Sequence, residues 1–99
     1  MKELLVHINK AFESKARLGI MSVLMVNEQI DFNSLKELLD LTDGNLASHL
    51  KALEELAYIE VNKQFIGRKP NTTYKATEKG KKAFEAHLNA LENLIKGYK

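Results

Sequence analysis

Between Ser34 and Asn45 the chain carries two helix-start signals with room for only a short helix between them, and this spacing constrains the fold more than any other feature. Ser34-Leu35-Lys36-Glu37 has the form of a capping box, in which a Ser hydroxyl and a Glu carboxylate satisfy free amides at a helix start. Thr42-Asp43-Gly44-Asn45 repeats the signal with a capping Thr and an Asp whose charge suits the positive end of a helix dipole. The first helix has space for about two turns, with Leu35, Leu38 and Leu39 inward. The second runs to about Ala57, and Leu46, Leu50, Leu53 and Leu56 recur along one stripe of it. Its other face carries Asn45, Ser48, His49, Lys51 and Ala52, all small or hydrogen-bonding. Two helices joined only by Asp40 to Thr42 form a helix-turn-helix candidate over residues 34–57.

The flanking sequence completes an architecture. Lys2 to Phe12 places Leu4, Leu5, Ile8, Ala11 and Phe12 at helical spacing, and Ser14 is a suitable N-cap for a helix carrying Leu18, Ile20, Met21, Leu24 and Met25. Gln29 to Phe32 alternates enough to form a minimal strand. Beyond the second helix, Tyr58 to Ile66 switches to period two, Gly67-Arg68-Lys69-Pro70-Asn71 supplies turn residues, and Thr72 to Ala76 resumes the strand pattern. Thr77 then caps a final helix. The expectation is a single domain over residues 1–99, mainly α with a small β-hairpin: a helix-turn-helix at about 34–57, a hairpin wing at about 58–76 and a C-terminal helix at about 77–96.

Charge singles out the wing. The chain has a formal net charge of only +2, but the cations are unevenly placed. Met1 to Glu60 carries an excess of carboxylates, whereas Val61 to Lys82 holds Lys63, Arg68, Lys69, Lys75, Lys79, Lys81 and Lys82 against Glu78 alone. A cluster of this kind on an arbitrary surface is commonly just solvated. On a hairpin that directly follows a helix-turn-helix it matches a polyanion footprint: the second helix enters a major groove and the wing lies along adjacent phosphates.

The candidate DNA contacts are therefore Thr42, Asn45, Ser48, His49 and Lys51 on the recognition helix, and Lys63, Arg68, Lys69, Asn71 and Thr73 on the wing. Asn and Ser side chains read base edges or bind phosphate, and Lys51 can reach a phosphate or a guanine. Thr42 serves as a cap, as a phosphate contact, or as both. Asp43 fits a helix-start charge first and a cytosine contact second, because a carboxylate repels phosphate. His49 is a contact or merely exposed. Arg68 is suited to a minor groove and Lys69 to neutralising backbone charge. Asn71 is either a turn former or a backbone contact. Lys63 and Lys75 flank the hairpin and strengthen the field without sequence preference, and Lys15 and Arg17, near the start of the helix capped by Ser14, are weak additional phosphate candidates.

The last helix carries a stripe of Phe84, Leu88, Leu91, Ile95 and Tyr98. The stripe either packs on its own domain or pairs across a two-fold axis with its copy and with Leu4, Leu5, Ile8 and Phe12; a core this small cannot easily cover two further amphipathic helices, so the pairing is the expected arrangement. The expected partners are thus duplex DNA and a second copy of the chain. An effector, whether a small molecule or a protein, would have to act at the dimer interface or between wing and helices.

Other classes find little support. The chain has no Cys, which removes disulfides, thiolate zinc sites and cysteine nucleophiles. Glu85 and His87, with His7 as a third group, are the only metal arrangement to weigh, and their spacing is not that of a metal site, so no metal or cofactor is expected. No catalytic triad, paired carboxylates or phosphate-cradling loop can be placed, so an enzyme is not expected. No segment approaches the ~20 apolar residues of a membrane span, and the start of the chain lacks a signal-peptide core, so a cytoplasmic location is expected.

The segments Leu41 to Glu54, Gly67 to Tyr74 and Thr77-Glu78-Lys79-Gly80 closely resemble a group of small prokaryotic winged-helix transcriptional regulators related to the MarR and ArsR families. The resemblance covers about Arg17 to Leu94. It implies a homodimeric regulator that binds duplex DNA and dimerises through its terminal helices. Ala76 departs from the pattern, since a Leu commonly precedes the Thr-Glu-Lys-Gly run; the difference touches packing under the wing. The alternative function is a protein-interaction module built on the same scaffold without sequence-specific DNA binding, because a fold does not fix a function.

Overall fold

The computed structural model describes residues 1–97. Its elements are α1 (Lys2–Leu5), a 3-10 turn (Lys10–Phe12), α2 (Lys15–Val26), β1 (Ile30–Asp31), α3 (Phe32–Leu39), α4 (Asp43–Glu55), β2 (Ile59–Ile66), β3 (Lys69–Ala76) and α5 (Glu78–Gly97). The strands form one antiparallel sheet in the order β1-β3-β2. Ile20, Met21 and Leu24 of α2, Leu35 of α3, and Leu46, Leu50 and Leu53 of α4 are buried together with Ile59, Ala76 and Phe84. The stripe read along α4 thus points inward for its first three leucines. This is the winged helix-turn-helix expected from the order of capping signals, with terminal helices added.

Four local differences have physical causes. The N-terminal segment is not one helix: it breaks after Leu5 and re-forms as the 3-10 turn, because Asn9 takes an extended backbone and its side chain caps Ala11 N–H at 2.9 Å. The helix α3 starts before Ser34. Asp31 is its N-cap, with the carboxylate accepting from Ser34 N–H at 3.1 Å and from the Ser34 hydroxyl at 2.6 Å. Those two bonds hold the Asp31 carboxyl below its ordinary pKa and occupy the hydroxyl that the capping-box reading assigned to Ser34.

The third difference is at Leu56, which is exposed because α4 stops short of it. Ala57 adopts the left-handed region at φ 62°, Tyr58 N–H donates to Leu53 O at 3.0 Å and Ala57 N–H to Glu54 O at 2.9 Å. That pair of bonds is a Schellman motif. The fourth is the hairpin turn, which uses two residues instead of five. Gly67 at φ 65° and Arg68 close the loop between Ile66 and Lys69, as a type II′ turn with Gly in its first position requires. Lys69, Pro70 and Asn71 therefore belong to β3. Pro70 faces Phe65 in the pair next to the closing one, where an antiparallel ladder asks for no N–H toward the partner strand.

Helix α5 has two apolar faces. Phe84, His87 and Ala90 are buried against the domain, while Leu88 (44% exposed), Leu91 (37%) and Ile95 (72%) look outward. Phe12 and Phe84 accordingly leave the expected dimer set. Phe12 packs in the chain's own core, stacked on Tyr58 at 5.5 Å and edge-on to Phe84 at 5.1 Å. Leu4 lies against the end of α5, where a Cβ on Gly97 would come within 2.9 Å of it. Leu4 and Ile8 are half-buried and Leu5 is exposed. Tyr98 lies outside the described residues. The radius of gyration is 15.1 Å, against the ~13 Å of a compact chain of this size. The elongation, 57 × 25 × 21 Å, is consistent with a hairpin and a long helix that reach past the core.

Candidate nucleic-acid interface

The recognition helix is anchored at both ends. At its start, Thr42 Oγ1 accepts from Asn45 N–H at 3.2 Å, so the capping role is filled while the hydroxyl proton stays available. Asp43 is paired with Lys36 Nζ at 2.7 Å. Lys36 on α3 therefore offsets the one carboxylate that would oppose phosphate at the mouth of the helix, a partnership that spacing along a single helix could not reveal. Asn45, Ser48 and Lys51 are exposed. His49 is half-buried, and its Nδ1 accepts from Arg17 Nε at 3.1 Å, tying α4 to the start of α2. Arg17, read from sequence as a weak phosphate candidate, is engaged with the recognition helix.

On the wing, side chains alternate between two faces. The register pairs Lys63 with Thr72 and Gln64 with Asn71, so Lys69 and Asn71 share one face and Lys63 lies on the other. A duplex laid flat on one face meets Lys69 with Asn71, or Lys63, and Arg68 at the tip serves either. Thr73 is withdrawn from the candidate contacts. It is only 6% exposed, paired with Asp31 on one side and Asn62 on the other in the central strand. The strand alternation is visible in the sequence, as is the minimal strand that becomes β1, but the pairing between them spans more than forty residues and gave no signal.

The basic segment also divides. Lys75 pairs across the strands with Glu60 at 3.6 Å, Lys81 pairs with Glu78 at 3.8 Å, and Lys79 sits over the Tyr58 ring at 5.8 Å. Lys63, Arg68 and Lys69 have no carboxylate partner among the described residues. Lys82 on α5 likewise has no carboxylate partner among the described residues, so the uncompensated charge comprises the projecting part of the hairpin and the start of α5. Phe65 and Ile66 beside the hairpin tip are exposed. Their ladder partners, Pro70 and Lys69, lie beyond Thr73, the last β3 residue toward the tip that pairs with β1.

Glu85 and His87 are not brought together as ligands: Glu85 is exposed, and His87 is buried with Nδ1 accepting from Asn9 N–H at 3.1 Å. Among the described residues no three His, Asp or Glu side chains converge in a metal-binding group. None of the described helices is long and apolar enough to cross a membrane.

A family model described as a winged helix DNA-binding domain matches residues 16–95. A protein of Methanocaldococcus jannaschii described as uncharacterized is 42% identical over 87 residues, which is 88% of this chain and 95% of that protein. The solved structure of a transcriptional regulator homologue from Pyrococcus horikoshii superposes with a TM-score of 0.89 at 31% identity, over 100% of this chain and 99% of the other. A MarR-family regulator structure from Enterococcus faecalis shares the fold at 21% identity, with a TM-score of 0.74 over 89% of this chain and 78% of that one.

Proposed function

The chain belongs to the winged helix DNA-binding domain family, whose regulators are not enzymes, and from that premise we propose that it is a cytoplasmic, sequence-specific transcriptional regulator acting on double-stranded DNA as a homodimer. In this reading α4 enters the major groove and presents Asn45, Ser48, His49 and Lys51 to base edges, with Thr42 on a phosphate. Arg68 reaches the minor groove, and Lys69 with Asn71, or Lys63, follows the adjacent backbone. The single observation that carries the reading is the juxtaposition of an exposed, hydrogen-bonding helix face with a wing whose Lys63, Arg68 and Lys69 are not neutralised by neighbours. Unpaired cations on a projecting arm gain from releasing counterions at a phosphate backbone.

The outward stripe Leu88, Leu91 and Ile95, with Leu5 and the exposed Met1 and Val6 nearby in sequence, supplies the dimer contact in this proposal. A two-fold axis through that stripe sets two recognition helices about 34 Å apart, one turn of duplex, and calls for an approximately palindromic site. Tyr98 extends the stripe in sequence. An effector would act at this interface or between wing and helices.

Fluorescence anisotropy with genomic duplexes tests the reading. Binding is expected to weaken steeply with salt, and Arg68→Ala combined with Lys69→Ala should lower affinity for every sequence while reducing the salt slope by roughly one to two units. Absence of salt-dependent binding to any duplex at low ionic strength would overturn it, and unchanged affinity in the double variant would remove the wing from the interface.

A further inference from the structure

The bond between Arg17 and His49 is unusual in what it leaves free. Arg17 sits in the first turn of α2, where Ser14 Oγ accepts from its backbone N–H at 3.3 Å, so the stem of the side chain starts from a fixed point. No carboxylate pairs with its guanidinium among the described residues, and its Nε–H points at His49 Nδ1, 3.1 Å away. A ring nitrogen that accepts a hydrogen bond carries no proton, so the neutral imidazole must hold its proton on Nε2. His49 Nε2 has no protein partner, and no buried side-chain nitrogen or oxygen of the described residues lacks one, so Nε2 is solvent-facing. His49 follows Ser48 and lies one turn beyond Asn45, both exposed on the helix that the proposed function places in the major groove.

We infer that Arg17 is a positioning residue for base readout: it fixes the His49 ring in one tautomer and orientation, so that the recognition helix presents Nε2–H as a donor to the DNA. The inference rests on the proposed DNA-binding function and deepens it. An unconstrained neutral histidine offers a donor or an acceptor at the same edge and discriminates poorly. Held from behind, it can only donate. The base atoms that match are the major-groove acceptors guanine N7 and O6, adenine N7 and thymine O4, while the exocyclic amine of cytosine is rejected. A guanidinium in this role contributes through its Nε–H and not through its charge, and this separates it from an ordinary phosphate contact.

The difference can be measured with duplexes carrying a randomised core, from which the full-length wild-type protein and the variants His49→Ala, Arg17→Ala and Arg17→Gln each select binding sites. Glutamine places a neutral N–H donor the same number of bonds from Cα as Arg Nε, so it keeps the bond to His49 and discards the charge. The wild type is expected to show a roughly tenfold preference against cytosine at one position in each half-site, in line with the usual cost of a mismatched pair. His49→Ala and Arg17→Ala should both bring that preference close to unity at the same position, and Arg17→Gln should retain most of it. Thermal melts of the variants verify that they are folded.

Other results overturn the inference. If Arg17→Ala keeps the wild-type preference and only weakens binding to all sequences, Arg17 is a phosphate contact or an α2–α4 brace. If Arg17→Gln loses the preference together with Arg17→Ala, the charge matters and the hydrogen bond does not. If His49→Ala leaves every position unchanged, His49 reads no base. Failure of the wild type to bind any duplex would sink the proposed function itself, which the wild-type selection reports separately from the variants.

Discussion

Asp40 and Ala57 are the two non-glycine residues with left-handed backbones among those described, at φ 52° and 62°, and each ends one helix of the helix-turn-helix. Asp tolerates this region through local hydrogen bonding, but Ala pays for its Cβ without compensation. Ala57→Gly should therefore stabilise the domain by about 0.5–1 kcal/mol, read as a higher urea midpoint with unchanged slope. His87 makes a second residue-scale prediction. Burial pushes its pKa below the ordinary 6.5, while Glu13 acts weakly in the opposite direction. A histidine whose pKa is lowered on folding binds fewer protons in the folded than in the unfolded chain, so its contribution is complete above the ordinary value and is lost as pH falls below it. Urea midpoints should drop as pH falls below the ordinary histidine value of about 6.5, and His87→Gln should flatten that part of the dependence. Neither effect was legible in the sequence. His87 lay outside the apolar stripe and was weighed only as a weak ligand candidate, and the Asn9 amide that fixes it lies 78 positions away. Thr42 was legible because its cap is made within one turn.

At the scale of elements, the end of α4, the start of the wing and the start of α5 meet at Thr77. Thr77 donates its hydroxyl to Ala57 O at 2.6 Å and its backbone N–H to Tyr58 O at 3.0 Å, and its Oγ1 accepts from Gly80 N–H at 2.9 Å. One residue thus closes the end of the recognition helix, the start of the wing and the first turn of α5. Gly80 is the counterpart: a Cβ there would fall 2.0 Å from Tyr58 O, a backbone atom that cannot turn aside. Gly80→Ala should cost about 3 kcal/mol or more, measured by thermal or urea unfolding, because α5 must lift from the strand. Thr77 could be read as a cap from sequence alone, whereas its second role and the need for Gly80 depend on a close approach between elements. The same distinction explains the hairpin. Strand character was plain in the alternation, but the turn length followed from the left-handed Gly67 and from register, which composition reports poorly.

For the whole molecule, the elongated shape and the two-faced α5 argue that the outward stripe is meant to be covered. Leu91→Glu with Ile95→Glu should leave the fold intact, since both side chains are exposed, and should shift sedimentation from dimer to monomer. Affinity for a palindromic duplex should then fall by on the order of 10²-fold, as one half-site is lost from each binding event. Dimerisation was expected from an excess of apolar helix surface, but the residue list behind that expectation mixed two faces. Phe84 lies on the same stripe as Leu88 and Leu91, and only the position of the core beneath it decides that it is internal. A helix of 20 residues is about 30 Å long, and α5 is pinned at one end to the close of the recognition helix. Its far end carries the stripe proposed to meet the second copy. It would work as a lever: a tilt of about 5° at the subunit contact sweeps the pinned end through about 2.6 Å over that length. Displacement of that size spoils the phasing of two recognition helices on a rigid duplex, so a signal that changed only the crossing angle of the paired helices would be felt at the operator without touching α4.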